Sequence, residues 1–309
     1  MNDYAALFSG IVCAGIGGEL FVRGAVGLAH WARISPGIIG AIVAAFATSS
    51  PELSVSVSSA LAGTPQIALG DALGSNIVNV ALILALALVI SGIQCPRDSI
   101  KRDFPIAALL PLGTGLLLFD GELSRFDGVL MLGLFAMWLI LATIEARKQR
   151  SATDKVLGEH RRGLVICSCA GGLALLVLAG NLIVASAKGI ALSFGMDYFL
   201  IGVTVVAIGT STPELATTVI AKLRGHDEVG LGTILGSNIF NGLFIVPVAA
   251  IINPITVVAR HEVTLSLALG FAAVALIYPP HTGLIHRSRG VLLLLLYSIY
   301  LFTVLFVRS

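Results

Sequence analysis

Ala47-Thr48-Ser49-Ser50-Pro51-Glu52 is the stretch that decides the fold, because it places a proline and a carboxylate inside a long apolar segment. The pattern returns 162 residues later as Gly209-Thr210-Ser211-Thr212-Pro213-Glu214. A segment that crosses a membrane gains nothing in stability from either residue, and ionisable residues inside such segments are functional by default. The two copies therefore predict both the architecture of the chain and the position of its functional site.

The composition is that of a membrane protein. Of the 309 residues, 57% are hydrophobic and 12% are charged, with a mean hydropathy of +0.98, whereas soluble domains carry about 25% charged residues. Apolar runs of about 20 residues, long enough to cross a bilayer, recur from end to end. No basic patch with interleaved aromatics suggests nucleic acid as a partner, and the four cysteines lack metal or redox spacing. We expect an all-α protein surrounded by membrane lipid.

Ten apolar runs are expected to span the membrane as helices. Their predicted bounds are 4–29, 36–61, 66–91, 104–119, 126–146, 162–190, 197–222, 228–252, 262–278 and 289–307. The longest loop, 147–161, is polar and basic and divides the chain into residues 1–146 and 162–309, with five spans in each half. No loop between spans is long enough to hold a soluble domain.

The basic residues predict the orientation, since lysine and arginine are enriched in cytoplasmic loops. With the N-terminus outside, the cytoplasmic segments hold 14 basic residues, and the outer segments hold only Arg125, Arg260 and Arg308. Both termini are therefore predicted to be extracytoplasmic, and the linker 147–161 is predicted to be cytoplasmic.

An internal repeat includes both functional stretches. Residues 39–79 and 201–241 align without gaps, and 20 of the 41 positions are identical, including the run Leu73–Ile77 and its counterpart Leu235–Ile239. Because each half has five spans, an odd number, the second copy enters the membrane in the opposite direction. Inverted repeats with interrupted spans at matching positions are typical of secondary transporters. We therefore expect breaks in spans two, three, seven and eight.

Proline predicts how the second span is interrupted. Pro51 has no N–H and disfavours helix at the preceding residue, so the helix should break just before it and restart with proline in the first turn. The break is expected to leave carbonyls near Ala45 without helical partners, beside the hydroxyls of Thr48 and Ser49. With the Glu52 carboxylate these are hard oxygen ligands, which suit Ca²⁺ or Na⁺. The equivalent groups in the second copy are Ala207, Thr210, Ser211 and Glu214.

The third and eighth spans are predicted to supply the other wall of the site. Ser75 and Asn79 are four residues apart, so they share a helix face. The equivalent pair in the eighth span is Ser237 and Asn241. Gly74 and Gly236 permit close packing against a neighbouring helix. Asn76 and Asn238 lie one position off the shared face, and we expect them to stabilise the broken helices.

Inverted symmetry brings the two copies together near the middle of the membrane. The pocket then contains Glu52 and Glu214, with a charge of −2 when both are ionised. One Ca²⁺ neutralises that charge, and two or three Na⁺ can occupy the same oxygens. An empty and uncompensated pocket resists crossing the membrane, whereas a loaded one can reorient, which is the physical basis for exchange.

These motifs resemble a known family. T-S-x-P-E, followed about 20 residues later by G-S-N-x-x-N, resembles the α-repeats of prokaryotic members of the sodium/calcium exchanger branch of the Ca²⁺:cation antiporter superfamily. The resemblance covers essentially the whole chain and implies Na⁺/Ca²⁺ antiport by alternating access, with the first and sixth spans sliding against the other eight. It places the coordinating positions at Thr48, Ser49, Glu52, Ser75, Asn79, Thr210, Ser211, Glu214, Ser237 and Asn241, with backbone oxygens at Ala45 and Ala207.

The chain departs from the family pattern at three positions. Ala47 stands where glycine is usual. Asp71 and its counterpart in the second copy, Thr233, both stand where asparagine is usual. Asp71 either adds a negative charge to the path by which ions reach the site from outside, or is a carboxylate favoured by the dipole at a helix N-terminus. Asn241 stands where K⁺-dependent relatives carry aspartate, so no K⁺ requirement is expected.

Other functions remain open at this point. A Ca²⁺/H⁺ antiporter would take its protons at Glu52, Glu214 and Asp71, and a passive cation channel would conduct without any counter-ion. An intramembrane enzyme is disfavoured, because the six histidines fall at span ends or in loops and leave no base. No organic cofactor is expected. Short loops predict an unregulated prokaryotic transporter of the cytoplasmic (inner) membrane, acting as a monomer.

Overall fold

The computed structural model describes residues 3–32, 36–61, 63, 65–152, 162–193, 207–257, 260–280 and 282–306. Nearly all of the chain within these ranges is helical. The helices are strongly apolar, so the prediction of an all-α membrane protein is confirmed at this level.

The first half begins with a helix of 30 residues and continues through a series of shorter ones. Its α-helices are α1 (Asp3–Ala32), α2 (Pro36–Ile39), α3 (Ala45–Thr48), α4 (Ser50–Leu61), α5 (Gln66–Ile77), α6 (Ala85–Ile90), α7 (Arg97–Leu117) and α8 (Arg125–Ala152). Two π-helical segments are inserted among them, π1 (Gly40–Ala44) and π2 (Val78–Leu84). Of the predicted linker, residues 153–161 lie outside the described residues.

The second half follows the same order. Its helices are α9 (Arg162–Ser193), α10 (Ala207–Thr210), α11 (Thr212–Leu223), α12 (Asp227–Phe240), α13 (Val246–Ile252), α14 (Arg260–Ile277) and α15 (Arg287–Phe306), with a π segment, π3 (Asn241–Ile245). The first part of the predicted seventh span, up to residue 206, lies outside the described residues.

The predicted break in the second span is present at Ser49. There the backbone leaves the helical conformation (φ −83°, ψ 13°). The helices on either side are bent by 42° relative to each other. Ser211 interrupts the second copy with nearly the same angles (φ −80°, ψ 7°). Each break lies two residues before a proline, whose missing N–H makes continuation of the helix costly.

The breaks predicted in the third and eighth spans are absent. α5 continues through π2 into α6, and α12 continues through π3 into α13. π turns take one more residue than α turns and occur frequently at functional sites. Because π2 contains Asn79 and π3 begins with Asn241, the wider turns lie where the sequence places amide oxygens. The helix is distorted at the predicted position without being interrupted.

Several helices are suited to a membrane by length and composition. Among the described residues, five stretches can cross a bilayer: Phe8–Leu28, Gln66–Ile90, Arg125–Ala146, Asp227–Ile252 and Arg260–Ile277. The bent pair Gly37–Thr48 and Ser50–Leu61 makes a sixth if it is counted as one span.

Two short antiparallel strand pairs connect the halves of the chain. β1 (Ile93–Gln94) pairs with β4 (Leu284–Ile285), and β2 (Glu122–Leu123) pairs with β3 (Ile255–Thr256). Each pair joins a loop of the first half to a loop of the second. The halves therefore share backbone hydrogen bonds as well as side-chain packing.

The apolar core is divided into a large and a small cluster. The large cluster is formed by helices of both repeats, and none of the side chains that the structure describes in α1 or α9 belongs to it. Phe21 and Val22 of α1 and Leu176 of α9 belong to the small cluster. α1 and α9 pack along each other at very short range, since a methyl group on Gly24 or Gly172 would overlap the partner's backbone. This pair therefore packs against the remaining helices through the small cluster rather than the large one.

An ion pair connects α1 to the end of α11. Glu19 of α1 accepts hydrogen bonds from Arg224, with Nε at 3.1 Å and Nη2 at 2.5 Å. Arg23, one turn along α1, also donates to the same carboxylate. The contact therefore links the α1–α9 pair to the rest of the molecule by charge as well as by packing.

Candidate cation site

The two helix breaks place Glu52 and Glu214 in the interior of the protein, close enough to interact electrostatically. Each lies in the first turn of the helix that restarts after the break, where the helix dipole favours negative charge. Both side chains are completely buried. The restart of the helix at each proline therefore gives the carboxylate a fixed direction and removes it from solvent.

Glu214 is held by two hydroxyl groups from different helices. Its Oε1 accepts hydrogen bonds from Ser49 Oγ at 3.1 Å and from Ser237 Oγ at 3.0 Å. Its Oε2 is buried and has no hydrogen-bond partner. Thr48 also lies beside this carboxylate. Glu214 thus joins the break of the first repeat to α12 of the second and keeps one oxygen available.

Both carboxylate oxygens of Glu52 are buried, and neither has a hydrogen-bond partner among the described residues. The hydroxyl of Thr210 lies close to it but contacts other oxygens. A buried carboxylate without a partner is strongly unfavourable. The Glu52 carboxylate therefore fits a site in which a bound cation is the partner of its oxygens.

Four asparagine amides connect the repeats beside the carboxylates. Asn76 Nδ2 donates to the Asn238 carbonyl at 3.3 Å, and Asn238 Nδ2 donates to the Asn76 carbonyl at 3.2 Å. Asn79 Nδ2 donates to Asn238 Oδ1, and Asn241 Nδ2 donates to Asn76 Oδ1, each at 3.0 Å. The predicted role of Asn76 and Asn238 in stabilising these helices agrees with these bonds, which also join the two repeats.

This network fixes which way the amides of Asn79 and Asn241 face. A backbone carbonyl can only accept, so Asn238 must present Nδ2 to it and keeps Oδ1 as an acceptor. Asn79 must then donate with its own Nδ2, which leaves its Oδ1 without a partner; the same reasoning applies to Asn241. Both oxygens are indeed buried and unpaired. The network therefore leaves two more oriented oxygens available.

The carbonyls of Ala45 and Ala207 do not lose their helical partners, so that expectation is wrong. Ala45 accepts the Ser49 N–H at 3.0 Å, and Ala207 accepts the Ser211 N–H at 3.1 Å. The breaks lie after these bonds rather than across them. Each carbonyl still has a second lone pair, so both remain possible ligands. Thr48 Oγ1 donates to the Ala44 carbonyl at 2.9 Å.

A second group of oxygens surrounds Thr210. Its Oγ1 lies 3.3 Å from Ser75 Oγ, 3.4 Å from Asp71 Oδ1 and 3.3 Å from the Ala207 carbonyl. Asp71 is 3% exposed and its Oδ2 has no partner. The first turn of α5 contains no acidic residue, so the explanation of Asp71 as an N-terminal helix carboxylate does not hold.

The structure thus brings the predicted residues together in one buried region. All of the predicted ligand residues are at most 1% exposed: Ala45, Thr48, Ser49, Glu52, Ser75, Asn79, Ala207, Thr210, Ser211, Glu214, Ser237 and Asn241. Within the described ranges, no group of three or more histidine, cysteine, aspartate or glutamate side chains converges on a metal position. The oxygens are therefore of mixed type, as hard cations accept.

Two buried hydroxyls near the carboxylates were not singled out from the sequence. Ser56 follows Glu52 by one helical turn, and Thr218 follows Glu214 in the same way. Both hydroxyl oxygens are buried without a hydrogen-bond partner. The i, i+4 spacing from each glutamate, at the same offset in the two repeats, was the available signal.

Comparisons with known proteins agree over both halves of the chain. A family model described as sodium/calcium exchanger protein matches residues 3–144 and 164–306. The putative antiporter CaxA of Alkalimonas amylolytica is 40% identical over 244 residues, 76% of each chain. The inner membrane protein YrbG of Escherichia coli (strain K12) is 33% identical over 94% of this chain and 92% of that protein. A solved structure of the sodium-calcium exchanger NCX_Mj, soaked with 100 mM Na⁺ and 10 mM Sr²⁺, matches with a TM-score of 0.85 and 27% identity over 99% of both chains.

Proposed function

The chain belongs to the sodium/calcium exchanger protein family, and from that premise we propose that it exchanges Ca²⁺ for Na⁺ across the membrane as a secondary antiporter. The family and the structural match make it an integral membrane protein that transports cations. The identity of the exchanged ions, their site and the way in which the site changes sides are the parts proposed below.

The observation that carries this proposal is the set of unpartnered carboxylate oxygens. Both oxygens of Glu52 and one oxygen of Glu214 are buried without a donor. When ionised, the pair carries a charge of −2, which either one Ca²⁺ or several Na⁺ can offset. Because both ions need the same oxygens, they exclude each other. Mutual exclusion at one site couples the two fluxes in opposite directions.

We assign ligand roles to both copies of the motif. The proposed ligands are the side chains of Thr48, Ser49, Glu52, Ser75, Asn79, Thr210, Ser211, Glu214, Ser237 and Asn241, with the carbonyls of Ala45 and Ala207. Their burial and the free oxygens of Asn79, Asn241 and Ser211 support this assignment.

The proposed architecture is ten membrane helices in two inverted repeats, residues 1–146 and 162–309, with the site between them at the midplane. The two copies of the repeat, offset by 162 residues, support this architecture. The equivalent breaks at Ser49 and Ser211 support it as well. Both termini lie outside and residues 147–161 form a cytoplasmic linker in this arrangement. The basic residues of the linker favour that orientation.

We propose that the α1–α9 pair moves against the remaining helices to expose the site alternately to each side. The large apolar cluster supports this division, because none of its described residues belongs to α1 or α9. The pair packs against its neighbours through the small cluster, so it can shift without opening the large one. Only a pocket neutralised by its ions would allow the shift, since a bare buried charge opposes it.

Three further properties complete the proposal. Transport needs no K⁺, because Asn241 supplies a neutral amide where K⁺-dependent relatives carry aspartate. The protein functions as a monomer, since the proposed ligands all come from one chain. It resides in the cytoplasmic (inner) membrane of a prokaryotic cell, where the name of its relative YrbG also places that protein.

Flux measurements in proteoliposomes test the exchange. Vesicles loaded with Na⁺ and diluted into Na⁺-free medium should take up radiolabelled Ca²⁺, and dissipation of the Na⁺ gradient should stop the uptake. Replacing internal Na⁺ with K⁺ should give no uptake, and adding K⁺ to Na⁺-loaded vesicles should change nothing. Uptake that follows a pH gradient and ignores Na⁺ would show a Ca²⁺/H⁺ antiporter instead. Uptake without any counter-ion gradient would show a channel.

A further inference from the structure

We propose that the groove between α7 and α14 binds one phospholipid of the surrounding membrane, with an acyl chain along the groove and the phosphate on Arg260. The groove has a volume of about 610 Å³, and ligand pockets typically have about 300–1,000 Å³. None of the proposed cation ligands lines it. The proposal therefore concerns a separate surface and does not rest on the exchange function.

The groove is apolar over most of its length. Among its described lining residues, only Thr264 and Arg260 carry polar side-chain atoms. Leu112 and Phe271, which also line it, are 49% and 37% exposed, so the groove opens to the outer surface of the helix bundle. In a membrane protein that surface is covered by hydrocarbon. An acyl chain is therefore already present beside the groove, whereas a soluble ligand would have to enter it from water.

The length of the groove matches one leaflet of a bilayer. α7 and α14 run in opposite directions along it, because the guanidinium of Arg260 lies against Gly121 and a methyl group on Gly270 would lie 3.6 Å from Pro111. The ten residues from Arg260 to Gly270 span about 15 Å of helix. The hydrocarbon core of a bilayer is about 30 Å thick, so one leaflet contributes about 15 Å. One acyl chain thus fits between the two ends.

Arg260 provides the charge that a phosphate needs. Within the described ranges, no carboxylate lies within ion-pair distance of its guanidinium. Glu262 follows it by two positions and so projects from a different side of α14. Arg260 lies at the first residue of α14, at the end of the groove. A guanidinium matches phosphate in shape and donates two parallel hydrogen bonds to it. The headgroup phosphate would therefore supply the missing counter-charge.

Native mass spectrometry of the purified full-length protein tests this proposal. After delipidation in detergent and addition of dioleoyl phosphatidylglycerol, the unmodified protein should retain one lipid per chain. Dioleoylglycerol, which has the same acyl chains without the phosphate, should not be retained. Arg260→Gln should weaken retention roughly tenfold, because it removes one charge-assisted interaction. Arg125→Gln, which removes an exposed arginine that does not line the groove, is the matched control and should retain the lipid normally.

A second variant tests the groove itself. Gly115 lines it, and a methyl group there would meet only Leu267, at 3.5 Å. Gly115→Leu should therefore fill the groove and weaken lipid retention. Gly133→Leu, at a position on α8 with no other atom within 4 Å of an added methyl group, should not.

Equal retention of the two lipids by the unmodified protein would overturn the proposal, and so would retention of neither. That measurement decides the matter even if a variant fails to fold. Equal retention by Arg260→Gln and Arg125→Gln would also contradict it. Displacement of the lipid by inorganic phosphate would show a small-anion site at Arg260 in place of a lipid site. A protein that lacks Na⁺-driven Ca²⁺ uptake would still be expected to retain the lipid, so the two proposals fail independently.

Discussion

At the scale of single residues, the site depends on oxygens that the protein leaves unpaired. Glu52 contributes two, Glu214 one, and the amides of Asn79 and Asn241 one each. The sequence predicted these residues because two polar motifs recur at a fixed offset in apolar surroundings. It did not predict the direction of each amide, since that direction follows from bonds between residues 159–165 positions apart.

Removing the charge of either glutamate should abolish Ca²⁺ transport. Glu52→Gln and Glu214→Gln keep the size of the side chain, so the protein should still fold, but each takes away one of two charges that offset Ca²⁺. Na⁺-driven Ca²⁺ uptake in proteoliposomes measures the loss. Glu122→Gln, in an exposed position of β2, serves as the control. Normal exchange by both site variants would contradict the assignment.

Asn238→Ala should weaken Ca²⁺ binding although Asn238 is not a proposed ligand. It removes the acceptor that holds Asn79 Nδ2, so the ligand oxygen of Asn79 is no longer oriented. Loss of a group that orients a metal ligand typically costs about 10–100-fold in affinity. Calcium titration of the purified protein measures the change. Asn253→Ala, whose amide donates to the Ala60 carbonyl rather than to another asparagine of the network, serves as the control. Unchanged affinity would show that the amide network is only structural.

At the scale of helices, the prolines predicted where two helices break, and Gly236 predicted a close helix contact. The π segments were not predicted from the sequence. Pro51 and Pro213 predicted both breaks to within two residues, because a missing N–H acts locally. The π segments at Asn79 and Asn241 arise from a shift in hydrogen-bond register within a continuous helix. No residue type is required for that shift, so the apolar sequence around it looked like any other span. The Ala45 and Ala207 carbonyls keep their partners because each break begins only at the serine whose N–H donates to them.

Gly236→Ala should destabilise the protein by disturbing the contact between π1 and α12. A methyl group on Gly236 would overlap the carbonyl of Ala41, and overpacking typically costs about 1–3 kcal/mol. The melting temperature in detergent measures the effect. Gly133→Ala on α8, where a methyl group meets no other atom within 4 Å, should leave it unchanged or slightly higher. Equal melting temperatures would contradict the predicted overlap.

At the scale of the whole molecule, the division between the α1–α9 pair and the other helices was expected from the family resemblance alone. Nothing in the composition of α1 distinguishes it from other apolar helices. Its position becomes visible only in the packing, where its described side chains belong to the small apolar cluster and not to the large one. Glu19 and Arg224 also gave no pairing signal, because they are 205 positions apart. Contacts of this kind are set by tertiary structure, which short sequence patterns do not encode.

Reversing the charge of Glu19 should change the turnover rate without removing ion binding. Glu19→Arg puts like charges where α1 meets Arg224. Exposed ion pairs contribute about 0.2–1 kcal/mol, so a rate change of up to about 5-fold is expected. The rate of Ca²⁺ uptake measures this change. The double variant Glu19→Arg with Arg224→Glu should return most of the way to the rate of the unmodified protein. Failure of the double variant to recover would show that the pair does not bias the movement of α1.

The reciprocal hydrogen bonds between Asn76 and Asn238 bear on the evolutionary origin of the chain. The side-chain amide of each residue donates to the backbone carbonyl of the other, so the contact is symmetric under exchange of the two repeats. Contacts of that form arise where identical subunits meet across a two-fold axis. This symmetry is what gene duplication and fusion of an ancestral homodimer would produce. The halves of the present chain, produced from two separate genes, are expected to find each other and rebuild the same interface.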